Sequence, residues 1–242
     1  MGYIKFSFLL FFSALTIVCH GQKAKVMNDP THDLKPVHFG FSIGLNTQDY
    51  NIEPSQFSLD TFITPGIKEV LPGFDVHAIA NFRLATYLDV RLLPGISLGQ
   101  KRIYYEDKNG KIINEKDGII DIEASCIEIP VLLKYKAKRL NNVSPYIIGG
   151  LNTKWDLTAK QSYGEDQQII VNRLDYFAEM GAGFDFYLEY FKMGLEIKYG
   201  MGLTNILKTT DSKGKPNQDH PEYTDLIESI RSQAVVISIH FE

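Results

Sequence analysis

Apolar and polar residues alternate along most of the chain. Val37, Phe39, Phe41, Ile43 and Leu45 share one parity, and His38, Gly40, Ser42, Gly44 and Asn46 share the other. Successive side chains of a strand point to opposite faces, so this stretch predicts a strand with one apolar face and one small or polar face. The same alternation predicts seven more strands, at about 73–82, 87–102, 127–136, 145–157, 176–188, 191–203 and 235–242. In the third of these eight, Pro94 and Gly95 predict a bulge. The fifth is the least regular, with Ile147 and Ile148 adjacent. A bilayer-spanning strand needs about 9–11 residues, whereas soluble strands average about five or six, and these segments match the longer class. No segment from Gln22 onward offers a long amphipathic helix to cover a sheet face.

The links between the strands alternate in length. Short links fall at Leu84-Ala85-Thr86, at 139–144 and at Glu189-Tyr190, and long ones at 47–72, 103–122, 158–175 and 205–232. All short links then lie on one side and all long ones on the other, as in outer-membrane barrels. Backbone groups in lipid must be paired, so a spanning sheet closes on itself. The pattern predicts an all-β fold over 37–242: an eight-stranded antiparallel up-and-down transmembrane β-barrel with four long outside loops and three short periplasmic turns. Within the second long link, Asn109-Gly110 reads as a hairpin tip beyond the membrane. Phe39, Phe82, Tyr87, Tyr135, Tyr146, Tyr187, Tyr190, Phe191 and Phe241 collect at the short-turn end and predict an interfacial girdle there. A soluble lipocalin-like barrel would also alternate, but with its apolar face inward. The charged, Gly-rich second face fits a narrow lumen better.

Composition narrows the function. The chain has 242 residues, 44% apolar, with 25 basic against 29 acidic residues and no basic stripe, so no nucleic-acid partner is expected. The N-terminus carries Lys5 and then an apolar run, Phe6 to Val18, too short to span a bilayer as a helix. It reads as a secretory signal peptide over residues 1–21, cleaved before Gln22, with small Cys19 and Gly21 at the −3 and −1 positions. A lipidated Cys19 is the alternative, disfavoured by bulky Val18 before it. Cleavage leaves Cys126 as the only cysteine, so no intrachain disulfide can stabilise the exported chain. Residues 22–36 are then a periplasmic N-terminal segment.

Two stretches carry a family resemblance. Ile127-Glu128-Ile129-Pro130-Val131-Leu132-Leu133-Lys134-Tyr135 resembles a signature of small outer-membrane barrels often labelled porin-like. Pro145-Tyr146-Ile147-Ile148-Gly149-Gly150-Leu151-Asn152, then Asp156-Leu157, resembles the PorT branch of that family, as does the opening 36–46. The resemblance implies an outer-membrane component of type IX protein secretion and gliding, non-enzymatic, with other secretion proteins of the outer membrane and periplasm as partners besides the membrane lipid.

Candidate chemistry is sparse. Asp75, Asp89, Arg91, Glu128, Lys134, Glu179, Asp185, Glu196 and Lys198 fall on the lumen parity. An eight-stranded barrel has room for little beyond its own side chains, so paired charges filling the lumen are expected rather than a pore lining. His38 and His240 share that parity near the periplasmic rim, with His77 higher up, and rim hydrogen bonding is preferred over a metal site. Asp219-His220-Pro221-Glu222 could suggest a loop-borne hydrolase site, but no Ser nucleophile motif accompanies it. No catalytic, cofactor-binding or metal residue is assigned, and neither a cofactor nor a small-molecule substrate is expected. A generic small barrel for adhesion or membrane stabilisation is the alternative function.

Overall fold

The computed structural model describes residues 27–56, 58, 64–66, 71–106, 119–159, 170–208 and 226–242. A short 3-10 turn at His32–Leu34 precedes strands β1 (Val37–Pro54), β2 (Thr64–Gly66), β3 (Pro72–Arg83), β4 (Leu88–Leu92), β5 (Gly95–Glu106), β6 (Ile119–Lys136), β7 (Val143–Asp156), β8 (Ile170–Val171), β9 (Leu174–Tyr187), β10 (Lys192–Gly202), β11 (Leu207–Lys208) and β12 (Ile227–Phe241). Every paired neighbour is antiparallel, and β1 pairs with β3 on one side and β12 on the other, which closes the ring. β4 and β5 both lie between β3 and β6 and form one broken stave. The break is at Leu93 and Pro94, where proline has no N–H to give to the ladder. The ladder continues across it, because Leu93 N donates to Pro130 O (3.1 Å) and Ala78 N donates to Pro94 O (2.9 Å). The ring thus has the eight staves the alternation predicts.

The burial is inside out relative to a soluble protein. Phe39, Leu45, Leu133, Ile147, Met180, Ile197 and Ile237 are exposed, while Arg91, Lys134, Asp185 and Glu196 are buried. An apolar belt outside and paired polar groups inside is what a hydrocarbon solvent selects. The parities predicted for the other seven staves hold, and in β7, the least regular, Ser144, Tyr146, Ile148, Asn152, Lys154 and Asp156 turn inward.

Two predicted girdle residues do not face lipid. Tyr146 and Tyr187 are 4% and 2% exposed and turn into the barrel. Tyr146 shares its face with Ser144 and Asn152, and Tyr187 shares its face with Asp185. Proximity to the short turns suggested a girdle, but parity decides which way a strand residue points.

The strands also run further than predicted. β1 and β6 have 18 residues each, well past the membrane requirement. Beyond the apolar belt the alternation reverses its phase. In β1 the inward Tyr50 and Ile52 become the apolar residues, and outward Asp49, Asn51 and Glu53 the polar ones. β5 and β12 do the same, with Ile103, Tyr105 and Ile230 inside and Gln100, Arg102, Arg231 and Gln233 outside. These extensions stand in water, so their apolar face turns inward.

The inner side of this projecting wall is covered by loop segments. Tyr50, Ile103, Tyr105, Ile227 and Ile230 pack with Ala159, Val171, Ile206 and Leu226. β8 and β11 pair as a separate two-stranded sheet within these segments, and Asn172 N donates to Ile206 O (2.7 Å). Among the described residues an apolar cluster thus covers the inner side of the long-loop end. Asn109-Gly110, the 219–222 segment and residues 1–21, read above as a signal peptide, lie outside the described residues.

Candidate functional site

The lumen is filled with interlocked charges. At the short-turn end, Lys134 Nζ meets Asp185 at 2.7 Å, and Arg91 pairs with Glu242 at 2.5 Å and Glu196 at 3.4 Å. Lys192 pairs with Glu242 at 2.5 Å. Tyr146 sits among them, donating to Glu196 Oε2 at 2.8 Å while the Lys134 ammonium lies 3.7 Å from its ring centre. These groups project inward from β4, β6, β7, β9 and β10 and from the end of β12, so ring closure itself brings them together.

A second cluster lies further along the lumen. Glu128 takes His77 at 2.6 Å and Lys154 at 2.8 Å, and Glu179 takes Lys198 at 3.0 Å. Asn152 Nδ2 bridges the two carboxylates, at 2.9 Å from Glu128 and 2.6 Å from Glu179. Asn46 donates to Asp75 and Ser97, and Gln48 donates to Ser97 at 2.8 Å. Between the clusters, Ile79, Leu93, Leu132 and Ile148 form a small apolar layer with the Tyr146 ring. Buried ions are tolerated when paired and hydrogen-bonded, as Glu128 and Glu179 are, while Asp75 has the neutral Asn46 beside it.

The short-turn mouth is crossed by the N-terminal segment. The Tyr187 hydroxyl donates to both Asp33 oxygens at 2.9 Å, and Lys136 donates to Asp33 Oδ1 at 3.3 Å. Lys136 also pairs with Asp89 at 2.9 Å. Arg83 donates to Asp33 O. Asn28 N donates to Asn142 Oδ1 at 2.9 Å, Asn28 Nδ2 donates to Tyr187 O at 3.0 Å, and Arg139 donates to the Asn28 carbonyl. Burial alone would raise the Asp33 carboxyl, but Lys136 and the Tyr187 hydroxyl hold it below its ordinary range. Residues 28–33 thus form a strap across the opening.

All nine lumen charges named from the sequence face inward, and each acidic or basic one has a polar partner inside. His77 sits against Glu128, not free at a rim, and His240 Nε2 lies 3.4 Å from Glu196 Oε2. Among the described residues no cluster of three metal-ligating side chains forms. Lys101, Lys154, Asp156 and Asp175 were missing from the sequence set although they also sit at inward positions. Their signal was the parity of β5, β7 and β9 carried past the apolar belt. Asp33 has no such signal, because its segment does not alternate.

Among the described residues the arrangement offers ion pairing and packing inside the ring. Residues 21–208 match the family described as outer membrane protein beta-barrel domain. No curated protein matches the chain. The fold is similar to Neisserial surface protein A, at 12% identity over 85% of this chain and 98% of that one, with a TM-score of 0.43. It is also similar to Ail, the attachment invasion locus protein of Yersinia pestis, solved with the heparin analogue sucrose octasulfate, at 13% identity over 86% and 99% of the two chains and a TM-score of 0.40. AlkL, solved in lipid bilayers, is 10% identical over 92% and 95%, with a TM-score of 0.40. The family match spans well over half of the sequence, β12 completes the ring beyond it, and the chain belongs to the outer membrane protein beta-barrel domain family.

Proposed function

We propose that this protein is a non-conducting, non-enzymatic outer-membrane barrel that acts through its outer cap, in attachment or in stabilising the membrane. The observation that carries this reading is double closure. Ion pairs and an apolar layer fill the lumen, the 28–33 strap crosses one mouth, and the Tyr50–Ile230 core seals the other. With no interior passage, the surface on offer is the projecting wall of β1, β5, β6 and β12 and the loops on it. In this reading residues 1–21 are the export signal. The test is deletion of the gene followed by surface-attachment and detergent-sensitivity assays. Loss of either, restored by the intact gene and not by one lacking the long loops, is the expected result. Unchanged attachment and detergent resistance would contradict it.

A second reading places the barrel in type IX secretion and gliding, beside other secretion proteins of the outer membrane and periplasm. It is supported by the likeness of Ile127–Tyr135 and Pro145–Asn152 to the PorT branch. The same deletion separates the two: loss of secreted type IX cargo with attachment intact favours the second reading.

A further inference from the structure

Among the described residues, the buried cations of this lumen follow one rule with one exception. Arg91, Lys134, Lys136, Lys154, Lys192 and Lys198 each lie within ion-pair distance of a carboxylate. Lys101 on β5 does not, although it is only 8% exposed. Its described contact is the Tyr50 ring, whose centre is 4.1 Å from Nζ. A ring face attracts an ammonium but supplies no hydrogen-bond acceptor matched to its three donors. A buried charge without a counter-ion is among the most costly arrangements in a protein interior.

Lys101 opens onto a cavity where the lumen meets the cap. Gln48, Cys126, Asp156, Arg173, Asp175 and Ser232 are among the residues that line it. Each of the two carboxylates has its Oδ1 engaged by the chain. Asp156 Oδ1 accepts from the Thr158 and Ala159 amides, Asp175 Oδ1 accepts from Thr204 at 2.8 Å, and neither carboxylate lies within ion-pair distance of Lys101. Lys154, on the far wall, is taken by Glu128. The free volume is about 20 Å³. A water needs about 10–15 Å³, so the space suits one or two waters or a monatomic ion and is too small for sulfate or phosphate.

We propose that this cavity binds a monovalent anion of halide size, with the Lys101 ammonium as its anchor and the β8–β11 segments as its cover. The anion supplies a partner at ion-pair distance, which Asp156 and Asp175 do not, and ties the outer end of the lumen to the cap. This site stands whichever reading of the cellular role is correct.

The experiment uses the full barrel in detergent. Crystals grown in bromide should show an anomalous peak next to Lys101 Nζ. At equal ionic strength, chloride in place of gluconate should raise the unfolding midpoint of the intact protein by about 2–4 °C, and this gain should vanish in Lys101→Met. No bromide peak at Lys101, with water there instead, overturns the proposal. A chloride effect that persists in Lys101→Met overturns it too. If that variant does not assemble, the bromide peak alone decides.

Discussion

Tyr146 lies against Gly183, its cross-strand partner, so closely that a methyl group on Gly183 would come within 2.5 Å of the tyrosine ring and hydroxyl. The glycine is a recess, and the aromatic ring fills it. From there the hydroxyl reaches Glu196 on the next stave and the ring carries the Lys134 ammonium. One absent side chain thus sets the position of a tyrosine at the centre of the lower ion network.

Gly183→Ala should therefore destabilise the barrel by about 1–3 kcal/mol, the usual cost of forcing volume into a packed interior. Heat-modified gel mobility or urea unfolding in detergent checks it. In a double-mutant cycle, Tyr146→Ala should remove much of the Gly183→Ala penalty. The Leu195 carbonyl, 2.5 Å from the added methyl, leaves a residue of it. Strict additivity of the two changes would show that the ring does not occupy the recess.

The closing seam gives a second prediction. Ile237 on β12 faces lipid between Leu45 on β1 and Ile197 on β10, whereas Ser238 faces the lumen and its hydroxyl has no hydrogen-bond partner. Ile237→Lys should cost about 2–4 kcal/mol near the bilayer midplane, and Ser238→Ala should be close to neutral. The amount of heat-modifiable barrel recovered from outer membranes reports both. Equal loss in the two variants would mean the inside–outside assignment of β12 is reversed.

Arg91 gives a third. Its guanidinium is fully buried between Glu242 and Glu196. Arg91→Met leaves both carboxylates short of positive charge, and should destabilise the barrel by about 3–5 kcal/mol. Denaturant midpoints of refolded protein would reveal this. A variant as stable as the parent would show that the pairs are dispensable filling.

The fourth prediction concerns pH at the short-turn mouth. Asp33 is held below its ordinary value of 3.8 by Lys136 and Tyr187 once the strap is docked. A carboxyl depressed in the folded state adds stability that is complete above its unfolded value and disappears as pH falls through the folded one. The strap should be protected from proteolysis and amide exchange at neutral pH and loosen in strong acid. Asp33→Asn should weaken it at neutral pH and flatten the dependence. Identical protection profiles for the two proteins would contradict the assignment.

The staves were legible because lipid outside and charge inside impose a two-residue period that no soluble β-protein shares in that sense. The parity from Phe39 to Leu45 or from Phe191 to Met201 can be read directly from the chain. The extensions past the belt were hidden because the solvent changes. At Asp49 and Tyr50 the alternation continues with its phase inverted, and an uninverted template reads it as loop. The lumen charges were visible as a set, but their pairing was not. Lys134 and Asp185, 51 positions apart, meet only because the one intervening stave, β7, brings their inward positions together in the lumen. Lys101, past the apolar belt, is not among the lumen charges read from the alternation, and its want of a carboxylate within ion-pair distance shows only once the described neighbours are in place.

Planar-bilayer recording of the purified barrel tests the central claim, closure at both ends of a filled lumen, most directly. The account predicts no stable conductance at moderate voltage, with the strap intact or with residues 22–36 removed, because the ion pairs and the cap still block the path. A steady, long-lived, porin-like current from the intact protein would contradict it.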